Sequence, residues 1–175
     1  MMSESKEKLL DLRSVFGLQA IVTTPASATG GEYVEMDVTA EPGSETLIHY
    51  HPEREETYRV LEGTLEVFCD DRWRMVPAGE SLTVPRGAVH GFRNSGETPV
   101  RFINVHSPAL AFQEHPQTLN RLVRTGKFKD TKDPRSLIYM SMSAAEYRPE
   151  VTLKPPPWAT RGLAFIGRHL GYTLD

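Results

Sequence analysis

From residue 17 to residue 108 the chain is cut into short strand-like runs, most of them closed by glycine, proline or asparagine. The run Glu32-Tyr33-Val34-Glu35-Met36-Asp37-Val38 is typical. A period of two places alternate side chains on opposite faces of an extended strand, so each run has one face to bury. Such runs fall at 17–22, 32–38, 46–50, 56–61, 64–69, 72–76, 81–84, 90–94 and 100–106. Short strands at this spacing, with no helical segments between them, specify an all-β sandwich or barrel rather than a wound βα sheet.

The flanks read differently, and the chain divides at 1–14, 15–108 and 109–175. Residues 4–13 are expected to form a short helix packing through Leu9, Leu10 and Leu12. Beyond Pro108 the texture becomes helical, with Leu119, Leu122 and Val123 at helical spacing. Asp133-Pro134 sets a capping residue before a proline in the first helical turn. Ser143-Ala144-Ala145-Glu146 has capping-box spacing and predicts a further helix start. Pro155-Pro156-Pro157 reads as a stiff linker into a last helix, Trp158–Leu170, closed by Gly171 with Trp158 as a packing anchor. The expected role of this extension is to cover an open barrel face or a dimer edge.

The charge is nearly balanced, 20 basic against 23 acidic residues, and no basic stripe is present to neutralise phosphates. A nucleic-acid partner is therefore not expected. The charged N-terminus has no apolar core of a secretory signal, and no apolar run approaches the roughly 18 residues of a membrane span. A cytoplasmic protein is expected. The single cysteine, Cys69, excludes an intrachain disulfide and reads as a buried strand thiol.

Chemistry concentrates in two stretches. In the first, running from Gly43 to Gly63, His49 and His51 are two apart. They project from one strand face about 7 Å apart. Two neutral imidazoles on one face can clasp a metal ion, and a glutamate opening the next strand can add a carboxylate oxygen. Both Glu55 and Glu56 stand at that point. In the second stretch, Pro85 and Gly87 build a turn that leads into His90.

These stretches resemble the cupin family. Its first motif is Gly, five residues, His-x-His, three or four residues, Glu, six residues, Gly, which Gly43, His49, His51, Glu56 and Gly63 match. Counting back from Gly63 selects Glu56 and leaves Glu55 on the opposite face. The second motif is matched at Gly79, Pro85, Gly87, His90 and Asn94. The resemblance covers about residues 30–108 and implies a double-stranded β-helix jelly-roll barrel. It also implies that His49, His51, Glu56 and His90 face the interior and hold one divalent metal ion. That ligand set suits Fe, Mn, Ni, Co or Zn and leaves coordination positions open.

The resemblance implies a metal-dependent enzyme of dioxygenase, isomerase or decarboxylase type acting on a small organic molecule, with a small-ligand binding or sensing module as the alternative. The catalytic candidates are Glu55, Tyr58 and His106; His106 and Asn104 share a strand face with Phe102. With 16 residues ahead of the first strand, a fused helix-turn-helix regulator is not expected. Paired cupin barrels lead to the expectation of a homodimer.

Overall fold

The structure is a computed structural model that describes residues 9–147, 151–152 and 156–175. Among these residues eleven strands form two antiparallel sheets. They are β1 Leu9–Leu12, β2 Leu18–Thr24, β3 Val34–Ala40, β4 His49–Tyr50, β5 Glu55–Glu62, β6 Thr64–Cys69, β7 Arg72–Pro77, β8 Ser81–Val84, β9 His90–Arg93, β10 Val100–Ser107 and β11 Val151–Thr152. One sheet runs β1-β2-β3-β10-β5-β8 and the other β11-β4-β9-β6-β7. A one-turn helix α1, Arg13–Phe16, follows β1, and three helices close the chain: α2 Glu114–Arg124, α3 Pro134–Tyr147 and α4 Pro157–His169. The molecule is thus a sandwich of two antiparallel sheets with a helical tail, mixed rather than strictly all-β. No helix among the described residues is long and apolar enough to cross a membrane.

Alternation positions the core. In β3, Val34, Met36, Val38 and Ala40 are buried while the residues between them are half-exposed. In β6 the inward set is Leu65, Val67 and Cys69. Between the sheets Tyr58, Phe92 and Phe102 form a three-ring cluster with centroids 5.2–5.9 Å apart. Each such pair adds about 0.5–1.5 kcal/mol beyond its buried area. Cys69 is buried, and burial together with Asp70 raises its pKa, as befits an inert strand thiol.

Three local expectations need correction. Residues 9–12 form a strand, not a helix, because Leu10 and Leu12 alternate inward while β1 pairs with β2 from Leu9↔Ile21 to Leu12↔Leu18. The first eight residues of the chain, into which that expected helix extended, lie outside the described set. Ser143 starts no helix; it lies inside α3, fully buried, with its hydroxyl 2.8 Å from Nδ1 of His115. α3 starts at Pro134, just after Asp133, whose carboxylate accepts from the Arg135 N–H at 2.8 Å. Trp158 is 77% exposed rather than a packing anchor.

The reason for the last lies in Ala164 and Gly167, the buried residues of α4. A Cβ on Gly167 would stand 2.5 Å from Cγ2 of Ile138 and 2.6 Å from Sδ of Met142, so α4 meets α3 at close range along this line. Trp158, Phe165 and Ile166 consequently point away. Pro155 of the expected linker is outside the described residues, while Pro156 has the extended φ −68°, ψ 156° that leads into α4.

The tail also seals the sheet edge. Asn120 of α2 accepts from the Asp11 N–H at 2.9 Å and donates to the Leu9 carbonyl at 3.4 Å, replacing the strand that β1 lacks on that side. Leu12, Leu119, Leu122 and Phe128 form a second small core beneath the helices.

Candidate metal centre

His49 lies on β4, His51 one residue past its end, Glu56 on β5 and His90 on β9, so two sheets and a loop converge on one point. The 49–90 contact is direct, since those residues are cross-strand partners. The turn through Gly87 (φ +76°) is fastened to the first stretch by its N–H, which donates to the His51 carbonyl at 2.8 Å. Only glycine takes that backbone conformation without strain. Asn94 holds the far end of β9, donating to the Ala40 and Thr98 carbonyls at 2.9 Å each.

All four side chains are buried, and one ligand atom from each lies within 4.8 Å of the others. Oε2 of Glu56 stands 3.0 Å from Nε2 of His51 and 2.9 Å from Nε2 of His90. Ligands about 2.1 Å from one cation at right angles lie about 3 Å apart, so these spacings fit adjacent corners of one coordination sphere. Glu55 is exposed on the opposite face of β5.

The hydrogen-bond chemistry of the donor set fits a cation. Nδ1 of His90 stands 2.8 Å from the Ala88 carbonyl, and Nδ1 of His49 stands 2.6 Å from the Leu47 carbonyl. A carbonyl oxygen only accepts, so each Nδ1 carries a proton, and in the neutral ring each Nε2 keeps a lone pair free for a cation. Burial alone would raise the Glu56 pKa, but the surrounding His106, His51 and His90 outweigh it and hold the carboxyl well below its ordinary range. In the neutral ring, Nε2 of His90 then turns a lone pair to a carboxylate oxygen at 2.9 Å, a juxtaposition that a cation between them resolves.

Asn104 and His106, on β10, complete the arrangement. Nδ2 of Asn104 donates to Oε1 of Glu56 at 2.8 Å, and Oδ1 of Asn104 lies 2.8 Å from Nε2 of His106. Since Nδ2 is the amide's donor, Oδ1 accepts and His106 carries its proton on Nε2. Burial pushes the His106 pKa down to about 3, so the ring is neutral. It stacks on Phe112 with centroids 3.5 Å apart. Phe112 also lies under the guanidinium of buried Arg54, 5.2 Å from its centroid, and Arg54 donates to the Ala109 carbonyl at 3.2 Å. Tyr58 shares the inward face of β5 with Glu56 but packs in the aromatic cluster.

His49, His51 and Glu56 open onto a cavity of about 1130 Å³ that extends beneath β1, α2 and α3. Its walls are mainly apolar, with Leu10, Met36, Phe102, Leu119 and Met140 among them. Phe112 and His115 also line it, and no local sequence pattern marks either. They reach it because the chain turns back over the barrel after β10. Asn104 and His106 were visible as strand neighbours of Phe102, though not their bond to Glu56.

A family model described as a cupin domain matches residues 36–106. Protein SchB of Streptomyces halstedii is 36% identical over 87 residues, which cover 49% of this chain and 62% of that protein. The alginate biosynthesis protein AlgA of Pseudomonas putida is 33% identical over 78 residues, covering 45% of this chain. The match spans only 16% of AlgA's own length. Among solved structures, the polyketide cyclase RemF from Streptomyces resistomycificus superposes with a TM-score of 0.50 at 25% identity, covering 57% of this chain and 72% of that one. A predicted oxalate decarboxylase from Thermotoga maritima gives 0.50 at 21% identity, covering 52% and 80%, a likeness of fold alone.

Proposed function

The chain is a member of the cupin family through its domain at residues 36–106, and from that premise we propose that it is a metal-dependent enzyme acting on a small organic molecule. The observation that carries this reading is the convergence of four buried ligand atoms, three of them on residues that line a roughly 1130 Å³ cavity. A bound divalent ion would supply Lewis-acid or redox chemistry to a substrate oxygen.

His49, His51, Glu56 and His90 would hold the ion, and the remainder is the work of the chain's own residues. The Leu47 and Ala88 carbonyls fix the tautomers of His49 and His90. Asn104 fixes the rotation of the Glu56 carboxylate. The apolar walls exclude water and align the substrate body, which supports reactions that water would divert. Dioxygenase, isomerase, decarboxylase and cyclase chemistries all suit such a site; the likeness to RemF favours rearrangement or ring closure over hydrolysis.

The second reading is a small-ligand binding or sensing module, favoured by the size of the cavity relative to typical sites of roughly 300–1,000 Å³. Association as a homodimer belongs to either reading, and light scattering that gave a monomer across micromolar concentrations would exclude it.

The test is elemental analysis of untagged protein, followed by product screening and O₂ uptake on the metal-loaded form. About one ion per chain with turnover supports the enzyme. One ion with tight capture of a ligand and no turnover favours the binding module, and a metal content far below stoichiometric defeats the metal-dependent enzyme.

A further inference from the structure

Helix α4, Pro157–His169, faces its side chains the reverse of the usual way. Its buried positions are Ala164 and Gly167, whereas Trp158 is 77% exposed, Phe165 70%, Ile166 47%, and Leu170, at the C-cap, 63%. At 3.6 residues per turn, Trp158, Gly162, Phe165, Ile166 and His169 share the face opposite Ala164 and Gly167. The rings of Phe165 and His169 lie nearly parallel along it, with centroids 6.2 Å apart. A surface helix ordinarily buries its large apolar residues and shows polar ones to water. Here the small residues are inside.

Gly162 stands at the centre of the exposed face. A Cβ there would meet nothing within 4 Å, unlike one on Gly167, which would strike Ile138 and Met142. Glycine weakens a helix interior, and the chain's own packing does not require it at 162. What a glycine supplies at such a point is room for another backbone to approach closely.

The area fits a partner of that kind. An aromatic side chain presents roughly 150–250 Å², so the four exposed residues together offer on the order of 500 Å² of mainly apolar surface. A stable interface takes about 800 Å² from each partner, of which roughly 450–520 Å² is apolar.

The order of residues suits a second copy of the chain. Trp158 and Ala159 precede Gly162 by four and three residues, and Phe165 and Ile166 follow it by three and four. An antiparallel copy crossing at Gly162 sets the Trp158–Ala159 end of each helix against Phe165–Ile166 of the other. That is the self-complementary form a two-fold interface requires. A lipid surface gains from inserted apolar area alone, and a glycine at the centre of the face offers none. Residues 1–8 hold two methionines among six polar side chains, too little to cover the face.

We propose that the protein forms a two-fold homodimer in which α4 packs antiparallel on α4 of a second copy, with Gly162 at the crossing. The inference goes beyond the metal reading and is independent of it, since none of Pro157–His169 lines the cavity.

The experiment is light scattering and sedimentation of the full chain across micromolar concentrations, beside three variants. The unmodified chain is expected to be a dimer. Trp158→Ser combined with Phe165→Ser, both at exposed positions, should raise the dissociation constant about 100-fold or more. Gly162→Leu should raise it about 10-fold or more while keeping the helical circular dichroism, because the added side chain holds the helices apart. Gly162→Cys should form disulfide-linked dimers on mild oxidation, because the two-fold axis brings position 162 beside itself. Glu80→Cys, on an exposed barrel turn, should not, and the native Cys69 is buried.

A monomer at all these concentrations overturns the proposal. So does a dimer that persists in Gly162→Leu with no disulfide through position 162, which places the pairing elsewhere, as between barrel sheets. Sedimentation with phosphatidylglycerol vesicles that Gly162→Leu strengthens would overturn it in favour of a lipid surface. Should the double variant fail to fold, the two Gly162 variants decide alone. Metal content, measured by elemental analysis of the same samples, should be alike in all of them, so the dimer and the metal centre stand or fall separately.

Discussion

Asn104 and Glu56 sit on adjacent strands, and the amide of the first donates to Oε1 of the second at 2.8 Å. The other carboxylate oxygen faces His51 and His90. One neutral side chain thus sets the rotation of the only anion in the cluster. Groups that orient a ligand in this way are typically worth 10- to 100-fold in metal affinity. Asn104→Ala is expected to weaken metal binding by about that factor without unfolding the barrel. Competition against a chelator of known affinity measures it, and an unchanged affinity would remove Asn104 from the site.

Adjacent glutamates provide an internal control. Glu55→Gln alters an exposed side chain and should leave metal content at the level of the unmodified protein. Glu56→Gln should reduce it severely, because the neutral amide removes the negative charge that the ion would neutralise. Elemental analysis of the two variants side by side separates them; similar losses in both would undo the assignment by face.

Metal-depleted protein should lose stability on mild acidification. The His106 pKa is pushed down from 6.5 to about 3 in the folded chain, so between those values the unfolded chain binds a proton that the folded one refuses. Stability from this group is complete above about pH 6.5 and declines as the pH falls toward 3. Glu56, held below its ordinary 4.5, works in the same direction: its contribution is present above 4.5 and is lost as the pH falls through the folded value. Urea midpoints should fall from pH 7 to pH 5, and less steeply in His106→Phe. Parallel slopes in the two proteins would show that His106 is not the group responsible.

Two substitutions in the tail test its packing. Gly167→Ala forces a methyl to within 2.5 Å of Ile138, an overpacking that costs about 1–3 kcal/mol. Asn120→Leu leaves the Asp11 N–H and the Leu9 carbonyl without their side-chain partner, with a loss of about 1–3 kcal/mol. Denaturant unfolding reads both. If Asn120→Leu unfolds at the same midpoint as the unmodified chain, the edge of β1 is satisfied by water.

How much was legible beforehand depended on the range of the interaction. Strands such as Thr64–Cys69 and Ser81–Val84 were readable to the residue, because their alternation is a local record of which face is buried. The separation of Glu56 from Glu55 followed from the same period together with the motif count. The segment Leu9–Leu12 misled, since three leucines within four positions satisfy either a helix or a strand, and pairing with β2 settles it. Ser143 misled for a similar reason: its spacing to Glu146 matches a cap, while its hydroxyl serves His115 in the interior. Phe112 was invisible because its place at the cavity depends on the chain's return across the barrel mouth.

The strand β11 pairs with β4, with Thr152 opposite His49 and Val151 opposite Tyr50. The segment that carries the first histidine of the cluster is therefore clasped on its outer edge by the chain's own later part. An ion that steadies His49 and thereby the pairing of β4 with β11 is favoured in turn by that pairing, by reciprocity. Resistance of the tail to a protease thus becomes a gauge of occupancy at a centre the enzyme never touches, and a barrel trimmed after Ser107 would gain access at the expense of affinity.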